Sequence, residues 1–247
     1  MSKTINKEEI AKFTAMADEW WDENGKFAPL HKFNPIRIAY ILNKIKESGL
    51  AKNNSPANPL AGLNIIDIGC GGGLLSVPMA RLGANVTAID AGEKNIEIAK
   101  IHAEREGLDI NFLCTSAEDL AEQGKKFDIV LNMEVIEHVA DVEIFVRASS
   151  QLLKPSGLMF IATLNRTVKS YGLAIIGAEY ILRWLPRGTH DWKKFLKPSE
   201  IEVELTKNSL NIKELQGVSY APISKKWSLS NDIDINYMIL AQNKSTS

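Results

Sequence analysis

The chain has 247 residues, of which 45% are hydrophobic, and it carries 29 basic and 30 acidic side chains. This length suits one α/β domain with attached helices, and the hydrophobic content is sufficient to bury a sizeable core. The net charge of −1 argues against general nucleic-acid binding, which requires a surplus of lysine and arginine.

Cysteine usage and hydropathy indicate the compartment. Cys70 and Cys114 have neither the spacing of a zinc site nor the density of a disulfide scaffold, which favours a reducing environment. The polar N-terminal residues are not followed by the apolar run of a signal peptide. The sequence also has no uninterrupted run of about 18 apolar residues, so we expect no membrane-spanning helix. We therefore expect a cytoplasmic protein, either soluble or peripheral on the inner face of the cytoplasmic membrane.

Residues 1–60 predict an N-terminal helical cap. Helical spacing over 7–22 includes Trp20 and Trp21, which favour core packing or a cover over the active site rather than a lipid anchor. A second helix is predicted over 35–48. The stretch 52–59 contains two prolines and breaks the pattern as a linker does.

From residue 61 onwards, short apolar runs alternate with helical segments. The predicted strands are 63–68, 85–89, 110–114, 127–132 and 158–163, and the predicted helices are 74–82, 93–106 and 142–153. This order predicts a mostly parallel sheet with right-handed crossovers and helices on both faces. The alternation of strand and helix patterns stops after Asn165, which predicts an insertion or lid over about 165–197. It resumes with a helix at 198–209 and strands at 211–217 and 234–241.

A glycine-rich turn follows the first of these strands. Glycines at 69, 71 and 73 form the pattern G-x-G-x-G, which lets the backbone bend tightly and lets a ligand approach it closely. The dinucleotide pattern G-x-G-x-x-G would need a glycine at position 74, which is leucine. Asp90 ends the second strand, where a carboxylate can accept both ribose hydroxyls in either class of cofactor. The turn therefore predicts a cofactor site at this edge of the sheet.

Several segments resemble known motifs. Residues 67–73 resemble motif I of the class I methyltransferases, 116–119 resemble the segment that closes over the adenine, and 127–133 resemble the fourth-strand motif. More specific segments resemble the O-methyltransferases of ubiquinone biosynthesis, namely 31–37, 134–139, 163–166, 177–183 and 188–195. The similarity runs from about Phe13 to Asn243.

The resemblance implies an S-adenosylmethionine (SAM)-dependent O-methyltransferase with a Rossmann-like, seven-stranded sheet, parallel except for a reversed C-terminal strand. That family methylates catechol-type hydroxyls on polyprenylated rings, here 2-polyprenyl-6-hydroxyphenol and 3-demethylubiquinol. Family positions that contact SAM match Arg37, Gly69, Asp90 and Met133. Gly71 in the turn and Glu118 in the adenine segment complete the expected cofactor-binding set. Arg37 is suited to pair with the methionine carboxylate as a bidentate donor.

Glu134, Glu137 and His138 directly follow the fourth predicted strand. On a helix, their spacing would place them on one face, where they could bind a divalent cation such as Mg²⁺ that favours the phenolate of the substrate. Alternatively, His138 is the general base, with Glu137 beside it as a second candidate catalytic residue. A capped helix start with a surface histidine is a third interpretation. His190, in the insertion, is either another candidate base or a histidine with a structural hydrogen bond.

Residues 169–185 predict a mostly apolar helix with one polar stripe and basic residues on both sides. This pattern is typical of an interfacial helix that contacts lipid, which suits a polyprenyl substrate. A helix packed on the core or over the active site has the same pattern, so both interpretations stay open.

The sequence bears on three rival functions. Leu74 disfavours an NAD(P)-dependent oxidoreductase. A methyltransferase for another phenolic or lipid acceptor remains an alternative. A non-enzymatic module within a quinone-biosynthesis complex is disfavoured by the intact cluster of Glu134, Glu137 and His138, although an enzyme could also work within such a complex.

Overall fold

A computed structural model of the chain describes residues 4–51, 55–172, 191–221 and 226–244. The N-terminal helices are α1 (Lys7–Thr14), a 3-10 helix (Ala17–Glu19) and α2 (Ala28–Ser48). The helix predicted over 7–22 is therefore shorter and is followed by a separate turn. The second helix begins before the prediction, and Pro35 lies inside it.

The described residues form one sheet of eight strands in the spatial order β3-β2-β1-β4-β5-β8-β6-β7. The strands are β1 (Asn64–Ile68), β2 (Asn85–Asp90), β3 (Asn111–Cys114), β4 (Phe127–Met133), β5 (Leu153–Leu164), β6 (Leu210–Ala221), β7 (Lys226–Ser230) and β8 (Asn236–Asn243). The first five strands pair in parallel, whereas β8 is antiparallel to both β5 and β6. The predicted Rossmann-like class and the reversed C-terminal strand are confirmed.

The sheet has one strand more than the seven predicted. This extra strand, β7, pairs antiparallel with β6 at the edge of the sheet. Its sequence, KWSLS, has no fully buried position. The apolar run that predicts a buried strand is therefore missing there, which explains the difference.

Six further helices of the described chain connect or flank the strands. They are α3 (Ser76–Arg81), α4 (Glu93–Arg105), α5 (Ala117–Glu122), α6 (Val142–Leu152), the short α7 (Val168–Ser170) and α8 (Pro198–Lys207). Helix α5 was not predicted because its sequence, AEDLAE, has Leu120 as its one large apolar residue and so shows no helical spacing. Its start does carry a local signal, since the Ser116 side chain accepts a hydrogen bond from the backbone N–H of Asp119.

The core lies on both faces of the sheet because successive residues of a buried strand point to opposite faces. On one face, Ile65 of β1 and Leu131 of β4 pack with Tyr40 and Ile41 of α2. On the other face, Ile66 and Val130 pack with residues of α6 and α8. Helix α2 therefore shares a core with the sheet, which places its side chains close to the carboxyl ends of the strands.

Most of the predicted insertion lies outside the described residues, including His190 and much of the segment 169–185. Before the undescribed residues, the chain forms α7, and after them a 3-10 helix covers Trp192–Lys194. Across the described ranges, no helix combines the length and apolar character needed to cross a bilayer.

Candidate functional site

The glycine turn after β1 has a backbone that only glycine adopts readily. The φ angles of Gly69 and Gly71 are 72° and 53°, in the left-handed region. A Cβ atom on Gly69 would lie 2.4 Å from a methyl of Val135, and one on Gly71 would lie 2.4 Å from the Trp20 ring. Both the conformation and the lack of space therefore require glycine at these positions.

Asp90, at the end of β2, is held beside this turn. One of its carboxylate oxygens accepts a hydrogen bond from the backbone N–H of Gly71 at 3.0 Å. The other accepts from the Gly92 N–H at 2.7 Å and from the Asn95 side-chain amide at 3.0 Å. Burial raises the pKa of Asp90, and these donors oppose that shift. The carboxylate is thus fixed where the carboxyl ends of β1 and β2 meet, the edge at which open α/β sheets bind ligands.

A cavity lies at this edge of the sheet. Gly69, Gly71 and Asp90 line it on one side, and Glu134 and His138 line it after β4. The structure thus brings five of the predicted site residues to one cavity. Residues of the N-terminal segment form the remaining wall and include Thr4, Ile5, Asn6, Glu9, Ile10 and Phe13.

Arg37 and Met133 are not part of the lining of this cavity. The guanidinium of Arg37 is buried, donates to the Asn34 side chain at 2.8 Å, and lies 3.9 Å from a carboxylate oxygen of Glu134. Its Nε is buried without a hydrogen-bond partner among the described residues. Arg37 therefore offers a charged donor next to Glu134, which lines the cavity.

Glu118 binds the N-terminal segment in this structure. Its carboxylate accepts a hydrogen bond from the Thr4 backbone N–H at 3.2 Å, and both of its oxygens accept from the Thr4 hydroxyl at 2.9 and 2.8 Å. The segment expected to close over the adenine is thus joined to the start of the described chain.

The condition for a shared helical face of Glu134, Glu137 and His138, that the segment is an α-helix, is not met. Glu134 has a φ of 58°, a left-handed conformation that interrupts any helix, and only a 3-10 turn follows at Ile136–His138. Within the described ranges, no three His, Cys, Asp or Glu side chains are arranged to hold a metal ion. Among the described residues, Glu134, Glu137 and His138 therefore do not form a cluster of metal ligands.

The three side chains have different surroundings instead. Glu137 is buried, and one of its oxygens accepts a hydrogen bond from the Thr163 hydroxyl at 2.8 Å. Burial, with the nearby charge of Glu134, raises the pKa of Glu137 to about 8. His138 faces the N-terminal segment, with its Nδ1 3.0 Å from a carboxylate oxygen of Glu9. The hydrogen bond with His138, followed by that with Lys194, lowers the pKa of Glu9 to about 2.

The carboxyl group of Glu137 should make stability depend on pH. Its pKa is about 8 in the folded chain, against an ordinary value of 4.5, so the folded state holds more protons between these values. Its stabilising effect is complete below pH 4.5 and is lost as the pH rises towards 8. We expect Glu137→Gln to raise Tm relative to the parent at pH 8.5 by at least about 3 °C, and by less at pH 5.5.

Thermal unfolding followed by circular dichroism measures this difference. Glu122→Gln, on an exposed position of α5, is the matched control and should shift Tm equally at the two pH values. If the Tm difference of Glu137→Gln is the same at both pH values, the carboxyl does not titrate in this range.

Three residues of the site, Asn95, Thr4 and Glu9, were not among the predicted functional residues, and Trp20 was expected only as core packing or a cover. Trp20 packs over the glycine turn and donates to the Asn95 side chain at 2.9 Å, and Asn95 in turn donates to Asp90. Thr4 and Glu9 reach the site from the N-terminal segment. A capping signal at Asn6 predicts the start of α1 but not its position over the cavity.

Known proteins with similar sequences and folds were compared with this chain. Residues 66–161 match a family described as a methyltransferase domain. Ubiquinone biosynthesis O-methyltransferases from Brucella anthropi and Bartonella bacilliformis are each 58% identical to the chain, over 97% of its length and 96% of theirs. A magnesium protoporphyrin IX methyltransferase from Synechocystis with bound SAM has a TM-score of 0.62 at 16% identity, covering 99% of this chain and 100% of that one. A SAM-dependent methyltransferase from Clostridium acetobutylicum has a TM-score of 0.60 at 16% identity, covering 95% and 99%.

Proposed function

Because this chain belongs to the ubiquinone biosynthesis O-methyltransferases, a family of SAM-dependent enzymes, we propose that it methylates the catechol hydroxyls of 2-polyprenyl-6-hydroxyphenol and 3-demethylubiquinol. The observation that carries this proposal is the cavity at the carboxyl edge of the sheet. It combines a glycine turn and an ordered carboxylate on one side with an acidic residue and a histidine on the other.

The proposed cofactor site uses the glycine turn. Gly69 and Gly71 let the backbone lie close to SAM, and Asp90 accepts hydrogen bonds from the ribose hydroxyls. The buried guanidinium of Arg37 would pair with the methionine carboxylate. This role is supported by its Nε, which has no hydrogen-bond partner among the described residues. Met133, buried at the end of β4, would pack against the cofactor beside Glu134.

The proposed reaction is a direct displacement at the sulfonium. A lone pair of the catechol oxygen forms the O–C bond while the C–S bond breaks, and the sulfur keeps that electron pair and becomes neutral. The phenolic proton passes to His138, which lines the cavity. Aligning oxygen, methyl carbon and sulfur in one line supplies much of the rate enhancement.

The polyprenyl tail favours a peripheral position on the membrane. Val168 and Tyr171 are exposed apolar side chains just before the undescribed part of the segment 169–185. We propose that this segment contacts lipid. We also propose that the protein associates with the other enzymes of quinone biosynthesis. A hydrophobic acceptor could then pass between enzymes without leaving the lipid.

A turnover assay tests this function. Purified protein is incubated with methyl-labelled SAM and a short-chain 3-demethylubiquinol, with and without EDTA, and the product is analysed for label on the ring oxygen. We expect one labelled methyl per acceptor, no label on the fully methylated ubiquinol used as a control, and the same rate with EDTA. A second arm presents the acceptor in liposomes, and flotation should recover the protein with the lipid.

Two outcomes would change the proposal. SAM binding without label in the 3-demethylubiquinol would leave the enzyme class intact and favour another phenolic or lipid acceptor. Loss of turnover with EDTA, restored by added Mg²⁺, would show that a divalent cation takes part despite the divergent arrangement of Glu134, Glu137 and His138.

A further inference from the structure

The N-terminal strap, defined here as residues 4–14, forms one wall of the cofactor cavity. It is attached at its start, where Thr4 binds Glu118 and the Thr4 carbonyl accepts a hydrogen bond from the Ala140 N–H at 2.9 Å. A cofactor in this cavity would lie between the strap and the glycine turn. The strap therefore brings residues that are far apart in the chain into one site.

Glu9 is the charged residue of the strap that reaches this site. One of its carboxylate oxygens lies 3.0 Å from Nδ1 of His138, and the other accepts a hydrogen bond from Lys194 at 2.8 Å. The side chains of Glu9 and His138 are only 14% and 15% exposed. Phe13, one helical turn further along α1, packs its ring against the edge of the imidazole, with ring centroids 5.0 Å apart.

These contacts determine how the imidazole is oriented. As a carboxylate, Glu9 can only accept a hydrogen bond, so it keeps a proton on Nδ1 of His138. In the neutral ring, the lone pair that accepts a proton then belongs to Nε2. Lys194 fixes the carboxylate from its other side, and Phe13 limits rotation of the ring. The same arrangement of a carboxylate behind a histidine base orients the base in other enzymes.

We infer that Glu9 is a positioning residue for methyl transfer, which holds the imidazole of His138 in its reactive tautomer and orientation. This inference rests on the proposed role of His138 as the base. It deepens that role by naming the strap residue that orients the base. The competing explanation is that the Glu9–His138 pair merely holds α1 on the domain.

Substitutions at residue 9 distinguish these explanations. Glu9→Gln keeps the size of the side chain but removes its negative charge and gives it an amide that can also donate a hydrogen bond. Glu9→Asp keeps the charge and a carboxylate that can only accept. Glu8→Gln is the matched control, because Glu8 is exposed and lies next to Glu9 on α1. For each variant, kcat, KM for both substrates and the Kd for SAM are measured.

We expect Glu9→Gln to lower kcat by about 10- to 100-fold, with the Kd for SAM within about threefold of the parent. Glu9→Asp should recover part of kcat, and Glu8→Gln should leave kcat and KM unchanged. In a His138→Asn background, Glu9→Gln should have no further effect on kcat. The inference is overturned if Glu9→Gln weakens SAM binding with kcat unchanged, or if its full effect persists without His138.

A spectroscopic readout separates this inference from the proposed function. The ¹⁵N signals of His138, assigned by their loss in His138→Asn, should report the Nδ1–H tautomer in the parent with S-adenosylhomocysteine bound. Glu9→Gln should shift them towards a mixture of tautomers. This measurement needs no turnover, so it still tests the role of Glu9 if the quinol proves to be the wrong acceptor. Unchanged signals in Glu9→Gln would overturn the inference.

Discussion

Gly71→Ala is expected to weaken SAM binding by at least about 100-fold, which corresponds to about 2.7 kcal/mol. Gly71 has a φ of 53°, and an added Cβ would lie 2.4 Å from the Trp20 ring. Because Trp20 also donates to Asn95, which holds Asp90, displacement of the indole ring disturbs the carboxylate proposed to bind the ribose. Isothermal titration calorimetry with SAM measures the loss directly.

Gly124→Ala is the matched control for backbone strain. Gly124 has a φ of 69°, but nothing lies within 4 Å of its added Cβ. This variant should carry the same left-handed strain, roughly 1–2 kcal/mol, and unfold at a lower temperature while its SAM affinity stays unchanged. Equal SAM affinities for Gly71→Ala and the parent would mean that the turn does not approach the cofactor.

The second large effect is expected at His138. His138→Ala should lower kcat by about 10²- to 10⁴-fold, because the phenolic proton would lose its acceptor within the cavity. The Kd for SAM should stay within about threefold of the parent, since the glycine turn and Asp90 are untouched. Single-turnover kinetics with a short-chain 3-demethylubiquinol isolates the chemical step.

Added imidazole provides an internal control for this variant. A small base that diffuses into the space left by the side chain should restore part of the rate of His138→Ala. The assignment of His138 as the base fails if the variant retains a kcat close to that of the parent. It also fails if the whole loss of activity is explained by weaker binding of SAM.

The central sheet could be predicted because its strands carry their own signal. Ile65, Ile66 and Val130 belong to apolar runs buried on both faces, which is typical of parallel strands. The edge strand β7 and the six-residue helix α5 lack such runs and were missed. The prediction for α2 began at Pro35, on the helical spacing of the apolar residues after it. The helix instead begins at Ala28 with a proline in its first turn, and Phe33 packs in the core.

The candidate site was predictable only where its residues are close in sequence. Gly69 and Gly71 share one turn, and Asp90 ends the adjacent strand, so the order of elements brings them together. Glu9 and His138 are 129 residues apart, and nothing in the local sequence around either residue indicates the other. The contact follows from the path of the chain from α1 to α2 across the glycine turn, which is a property of the assembled fold.

The position of β8 has a consequence for how the chain is made. Although β8 is the last described strand in the sequence, it lies between β5 and β6 and pairs with both. During synthesis on the ribosome, the hairpin of β6 and β7 therefore has no place in the sheet until residues 236–243 have emerged. Until then β5 presents an open, apolar edge, the kind of edge at which nascent chains aggregate. Premature termination before residue 236 thus leaves a chain whose sheet cannot be completed, and quality control by chaperones and proteases would act on it.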